Sequence, residues 1–174
     1  MTERPESQEL DTPALLETLS GDLRDLLQTR NIKNPLMIGI HTGGAWVAEV
    51  LHKNLKIEQP LGTLNITFYR DDFTRIGMHP QVTPSNLPFE IDDQHIILVD
   101  DVLHTGRTIR AALNEIFDYG RPASVMLAVL VERGCRELPV SADVAATRIQ
   151  LKTNQHIKLG RDKSNLKLSI AEVK

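Results

Sequence analysis

Two adjacent carboxylates and a small, hydroxyl-rich turn stand close together in the segment HIILVDDVLHTGRT, residues 95–108. Asp100 and Asp101 offer only hydrogen-bond acceptors, which suit vicinal sugar hydroxyls, directly or through a hydrated Mg²⁺. The turn supplies donors instead, because its backbone N–H groups, hydroxyls and helix dipole favour a dianionic phosphate. That turn consists of Thr105, Gly106, Arg107 and Thr108. The segment therefore predicts a site that grips both ends of a sugar phosphate of the ribose 5-phosphate type.

A strand and a helix must hold these groups in place. The apolar run 96–99 is short and rich in β-branched residues, so it predicts a central parallel strand that ends at Asp100. Residues 107–119 predict the following helix, which Gly120 and Pro122 terminate. Ligands of open α/β sheets bind at the carboxyl ends of the strands, where this sequence places its polar groups.

Strands and helices alternate along the rest of the chain. The hydrophobic periodicity predicts a leucine-rich helix from Thr12, a strand over 36–41, a helix over 45–55, and strands over 61–69, 124–131 and 166–170. This order predicts an α/β fold in one domain over 1–174, with a doubly wound, mostly parallel sheet flanked by helices. Residues 1–12 are expected to be a flexible tail. The polar, proline-containing stretch 70–93 predicts a mobile lid loop.

Composition narrows the possible classes of protein. With 174 residues and 41% hydrophobic side chains, the chain can bury one adequate core. No apolar stretch reaches the roughly 18 residues of a membrane span, and the polar start lacks a signal-peptide core, so we expect a cytoplasmic protein without membrane contact. Walker-type and dinucleotide glycine patterns are absent, which argues against nucleotide hydrolysis and NAD chemistry. The lone Cys135 and the scattered histidines show no metal-ligand spacing.

The segment 96–108 resembles the motif by which type I phosphoribosyltransferases bind phosphoribosyl pyrophosphate (PRPP): four apolar residues, two acids and a Thr-Gly-x-Thr loop. Taken with FYRDD, YGRPAS and LVERGCRELP, it resembles the PyrR family of pyrimidine-operon regulators that also carry uracil phosphoribosyltransferase activity. The resemblance implies the type I phosphoribosyltransferase fold with a small hood region, and the conversion of uracil and PRPP to UMP and pyrophosphate with Mg²⁺. The motif alone leaves open a plain polar turn, or the carboxylate pair of a response-regulator or phosphatase fold.

Residue roles follow from this resemblance. Asp100 and Asp101 would bind the ribose hydroxyls and favour the developing positive charge of the sugar, and Mg²⁺ would be held mainly by PRPP and water, or by one of these carboxylates. The turn at 105–108 would hold the 5-phosphate. His104 occupies the loop position near the nucleobase, where it would be either a contact to uracil or a catalytic proton acceptor.

Three other segments complete the expected site. The resemblance assigns pyrophosphate binding to Thr42, Gly43 and Gly44, the lid to Tyr69, Arg70, Asp71 and Asp72, and the base side to Glu132 and Arg133. Each segment also has a plainer interpretation: the first as a strand-to-helix turn, the second as a solvated hinge and the third as a surface turn. Gly43 stands where the family usually carries arginine, and Glu132 where it usually carries aspartate. The missing guanidinium predicts weaker catalysis, and it leaves an inactive site as an alternative interpretation.

The resemblance also implies regulation. PyrR proteins bind a leader RNA in response to uridine nucleotides, so UMP or UTP and pyr leader RNA are expected partners, with a homo-oligomer (dimer or tetramer) as the assembly. Candidate RNA contacts are the basic residues of the tail, Lys152, His156, Lys158, Arg161, Lys163 and Lys167. Ser141 stands where the family commonly has a basic residue. The alternative is a non-catalytic sensor of nucleotide or PRPP that acts on pyrimidine genes through RNA or a protein partner.

Overall fold

The computed structural model describes residues 7–66 and 84–173 of the chain. In chain order these residues form β1 (Gln8–Leu10), α1 (Thr12–Thr29), β2 (Leu36–Ile40), α2 (Gly43–Asn54), β3 (Gly62–Leu64), β4 (His95–Leu103), α3 (Arg107–Tyr119), β5 (Ser124–Arg133), β6 (Val144–Ile149), β7 (Gln155–Asp162) and β8 (Asn165–Glu172). A five-stranded sheet runs in the order β3-β2-β4-β5-β6, and all its neighbouring strands are parallel. The predicted parallel α/β sheet is confirmed.

Helices cover both faces of this sheet. Leu19 and Leu23 of α1 pack with α2 and with Ile97 of β4, whereas α3 packs with Ile96 and Leu98 on the opposite face. Neighbouring residues of β4 alternate between the two cores because successive side chains of a strand point to opposite faces. This explains why the run 96–99 is apolar throughout, as expected for a strand buried on both faces.

A second, antiparallel sheet has the order β1-β8-β7 and forms the small hood. Leu166 and Leu168 of β8 join the core on the α1 side. The expectation of a flexible tail over residues 1–12 is wrong for residues 8–12, because Gln8–Leu10 pair with β8 and Thr12 starts α1. The buried Thr12 hydroxyl accepts a hydrogen bond from the Leu168 backbone N–H at 2.8 Å, which ties α1 to the hood.

Several boundaries differ from those that the sequence predicts. β4 continues past Asp100 to Leu103 because the long strand β5 keeps pairing with it, up to Leu103↔Glu132. Of the strand predicted over 61–69, only Gly62–Leu64 forms a strand within the described residues. The helix predicted over 107–119 is confirmed. None of the helices in residues 7–66 and 84–173 combines the length and apolar character needed to cross a membrane.

Candidate active site

The candidate site lies where the order of the parallel strands reverses direction. From β2 the chain crosses through α2 to β3 on one side, whereas from β4 it crosses through α3 to β5 on the other. Beyond the carboxyl ends of β2 and β4 the two connections diverge, and such a switch point leaves a crevice in which α/β proteins bind ligands. Residues 41–44 and 100–108, which the sequence singled out, border this crevice.

The carboxylate pair occupies the end of β4. Asp100 is buried, with 5% of its surface exposed, and its Oδ1 accepts a hydrogen bond from the Asp101 backbone N–H at 2.9 Å. Asp101 is half-buried, and its Oδ1 accepts from the Val102 backbone N–H at 2.9 Å. Backbone donors therefore hold both side chains in place, since a carboxylate with a fixed donor loses rotational freedom.

The glycine turn after β2 packs directly on this pair. A Cβ atom at Gly44 would lie 2.6 Å from the Val99 carbonyl oxygen and 2.9 Å from the Asp100 Cα. A Cβ at Gly43 would overlap Asp101 Oδ2 and lie 2.7 Å from Asp101 Cγ. Glycine is needed at position 44 because a side chain there would meet the backbone of β4, whereas a side chain at position 43 would meet the Asp101 side chain, which would have to move.

This turn is also the start of a helix. α2 begins at Gly43, two residues earlier than predicted, with the exposed Thr42 as its N-cap residue. The first N–H groups of a helix have no partner within the helix, so they are available to an anion in the crevice. The structure thus brings the predicted pyrophosphate loop and the carboxylate pair together.

The predicted phosphate turn forms the N-terminus of α3. Gly106 is the N-cap residue and has φ 95°, a left-handed conformation that favours glycine. The Thr105 hydroxyl accepts a hydrogen bond from the Arg107 N–H at 3.2 Å, and Thr108 lies in the first helical turn. Arg107 is exposed, and its Nε lies 2.8 Å from Glu137 Oε2. This arrangement of turn, glycine and helix N-terminus is suited to a phosphate.

Residues 136–140, which follow β5, pack against this turn, and the sequence alone does not predict this contact. The backbone N–H groups of Glu137 and Leu138 donate to the Thr105 carbonyl at 3.0 and 3.1 Å. The Arg136 guanidinium donates to the His104 carbonyl at 2.5 Å. The only sequence signal for these contacts is that residues 136–139 belong to the LVERGCRELP segment.

The base-side residues lie at the end of β5. Both oxygens of Glu132 are engaged by arginines, Oε1 by Arg136 Nη2 at 2.5 Å and Oε2 by Arg148 Nε at 2.8 Å. Burial lowers the pKa of His104 below its ordinary value of 6.5, and the nearby charges of Arg133 and Arg136 lower it further, against an opposing effect of Glu137. The His104 imidazole is therefore neutral at pH 7.

No group of three or more His, Cys, Asp or Glu side chains within residues 7–66 and 84–173 is arranged to hold a metal ion. A pair of carboxylates is nevertheless the usual protein share of a Mg²⁺ site in which substrate oxygens and water supply the other ligands. The four predicted lid residues, Tyr69, Arg70, Asp71 and Asp72, lie outside the described residues.

Comparison with known proteins agrees with this architecture. The model of the phosphoribosyl transferase domain matches residues 7–162. The fold is similar to that of a hypoxanthine-guanine-xanthine phosphoribosyltransferase, with a TM-score of 0.63 and 20% identity over 99% of this chain and 94% of that one. It is also similar to a hypoxanthine-guanine phosphoribosyltransferase from Bacillus anthracis, with a TM-score of 0.66 and 15% identity over 84% and 86% of the two chains. Fold and crevice together define a phosphoribosyltransferase domain.

Sequence relatives narrow the class further. The chain is 59% identical to a bifunctional protein PyrR from Nitrosococcus oceani, over 89% of each chain. It is 60% identical to a bifunctional protein PyrR from Pseudomonas paraeruginosa, over 86% of this chain and 89% of that one. The protein belongs to the PyrR family, which confirms the resemblance seen in its motifs.

Proposed function

We propose that this PyrR-family protein transfers the phosphoribosyl group of PRPP to uracil, giving UMP and pyrophosphate, and that it also regulates expression of the pyrimidine biosynthesis (pyr) operon. One observation carries the catalytic half. The carboxylates of Asp100 and Asp101 lie in one crevice with two helix N-termini, those of α2 and α3. Carboxylate acceptors that suit ribose hydroxyls therefore lie close to two sets of backbone N–H donors. These donors suit the two anionic ends of PRPP.

The residues act mainly by binding and orientation. Asp100 and Asp101 accept hydrogen bonds from the ribose hydroxyls, and their negative charge favours the positive charge that develops on the ribose ring as pyrophosphate leaves. The turn at 105–108 holds the 5-phosphate. The backbone of residues 42–44 holds pyrophosphate without the guanidinium that the family usually places at position 43.

His104 faces the nucleobase in this proposal. Uracil N1 forms a bond to the ribose C1′ as the bond from C1′ to the pyrophosphate oxygen breaks, and the N1 proton must then be accepted. A neutral imidazole can accept that proton, and the lowered pKa of His104 keeps the ring in this form. Arg133 and Glu132 border the same side of the crevice, where the ion pairs of Glu132 make it a support for the loop rather than a ligand.

Phosphoribosyltransferases generally use Mg²⁺ with PRPP, and the carboxylate pair fits this ion. Asp100 or Asp101 would hold it, together with water and oxygens of PRPP. When bound, it would neutralise charge on the departing pyrophosphate.

The regulatory half rests on family membership. Five exposed basic residues of the predicted RNA-contacting tail lie on or between the hood strands β7 and β8, namely His156, Lys158, Arg161, Lys163 and Lys167. Two of them have intrachain acidic partners: Arg161 pairs with Glu49 at 2.8 Å and Lys167 with Glu9 at 3.9 Å. UMP or UTP would act from the same crevice as PRPP. The homo-oligomer and the cytoplasmic location stay predictions.

The two halves have separate tests. Incubation with PRPP, Mg²⁺ and labelled uracil is expected to give UMP, and Asp101→Asn, which removes one charge at constant shape, is expected to lose about 100-fold or more in kcat/KM. Absence of UMP from a chain that still binds ribose 5-phosphate would favour the non-catalytic sensor.

Titration of pyr leader RNA at several salt concentrations tests regulation, with unrelated RNA as control.

A further inference from the structure

We propose that Arg136 is a positioning residue that fixes the backbone of the phosphate turn and thereby sets affinity for the 5-phosphate end of the substrate. The inference deepens the proposed function and rests on it. Arg136 lies outside the turn itself, 32 residues from His104 along the chain, and acts on the turn through a hydrogen bond to the His104 carbonyl.

The guanidinium of Arg136 is itself firmly held. Its Nη1 donates to the His104 carbonyl and its Nη2 to Glu132 Oε1, each at 2.5 Å, and only 24% of the side chain is exposed. Its Cδ lies 3.7 Å from the position that a Cβ at Gly106 would take. A guanidinium group is rigid and planar, so its two hydrogen bonds fix the end of β5 relative to the loop after β4.

The consequence for phosphate follows from peptide geometry. In a trans peptide the carbonyl of one residue and the N–H of the next point in opposite directions. The hydrogen bond from Arg136 fixes the orientation of the His104 carbonyl. The Thr105 N–H therefore points away from residues 136–140. The N–H groups of Glu137 and Leu138 pin the Thr105 carbonyl and so direct the Gly106 N–H away as well. Two successive donors of the turn are thereby preorganised for an anion.

Arg148 provides a matched control. It pairs with the other oxygen of Glu132 at 2.8 Å, is exposed over 66% of its side chain, and has no bond to the phosphate turn among the contacts of the described residues. Removal of either arginine takes one ion pair from the same carboxylate. Only removal of Arg136 also releases the His104 carbonyl.

The test compares Arg136→Gln with Arg148→Gln, by calorimetric binding of ribose 5-phosphate and by the uracil assay. Arg136→Gln is expected to raise both the Kd for ribose 5-phosphate and the KM for PRPP about 10- to 100-fold, as expected for loss of a charged hydrogen bond. Arg148→Gln should stay within about twofold of wild type, as exposed pairs contribute little. Arg136→Lys, which keeps the charge, should recover part of the affinity, and it serves as the test variant if Arg136→Gln does not fold.

Equal effects of the two glutamine variants would overturn the proposal. So would a lower kcat with Kd and KM unchanged, because a merely structural role reduces the active fraction and leaves affinity intact. A wild-type chain that makes no UMP refutes the proposed catalytic activity alone, since the Arg136 comparison is made on ribose 5-phosphate binding. Failure of the wild-type chain to bind ribose 5-phosphate would overturn both.

Discussion

One methyl group at Gly43 should lower kcat/KM without unfolding the protein. The Cβ of Gly43→Ala would overlap Asp101 Oδ2 and lie 2.7 Å from Cγ and 3.2 Å from Cβ of Asp101. These three nearest contacts are all with one side chain, so the least costly response is rotation of Asp101. That rotation breaks the 2.9 Å hydrogen bond from the Val102 N–H to Asp101 Oδ1.

The expected magnitude comes from the contacts that change. A hydrogen bond to a charged acceptor contributes about 1.5–3 kcal/mol, and an off-rotamer side chain costs about 0.5–1.5 kcal/mol. If the transition state needs Asp101 in its present position, loss of this hydrogen bond alone lowers kcat/KM about 10- to 100-fold, since each factor of ten corresponds to about 1.4 kcal/mol. The free energy of unfolding should change less, because alanine at this first position of α2 returns up to about 0.5–1 kcal/mol.

Steady-state rates of UMP formation and urea unfolding of the same preparations test this expectation. Gly21→Ala is the matched control: Gly21 lies inside α1 with nothing within 4 Å of its Cβ position. It should raise the free energy of unfolding by about 0.5–1 kcal/mol and leave kcat/KM unchanged. Wild-type kcat/KM in Gly43→Ala would refute the claim that the position of Asp101 against this turn matters for the reaction.

Two other outcomes follow from single side chains. Because the pKa of His104 is lowered from 6.5, the ring is neutral at pH 7. In the wild type, kcat/KM should therefore fall only as the pH drops through that lowered pKa. In His104→Gln, this decrease at acidic pH should be absent from the pH–rate profile. The same decrease in the variant would assign it to another group. Thr12→Val removes a buried hydroxyl that accepts from the Leu168 N–H at 2.8 Å, so urea unfolding should show a loss of about 1–3 kcal/mol with kcat/KM near wild type. Unchanged stability would show that this hydrogen bond does not secure the hood.

Local patterns in the sequence determine much of the fold and name most of the segments of the site. The apolar run 96–99, the acidic pair after it and the glycine turn before residues 107–119 predict strand, site and helix in order, because burial on both faces and helix capping are properties of neighbouring residues. The alternation of such units is enough to predict a parallel sheet with helices on both sides. The motif order also indicated the family.

Only the tertiary structure decided which segments meet. β4 runs to Leu103 because β5 pairs with it, and Gln8–Leu10 form a strand because β8 offers them an edge. Glycine at position 43 matters because Asp101 arrives beside it, and Arg136 matters because its guanidinium reaches the His104 carbonyl. These contacts join residues far apart in the chain. They depend on strand order and register, which hydrophobic periodicity does not encode. The sequence therefore predicts which loops form the site but not the contacts that hold these loops in place.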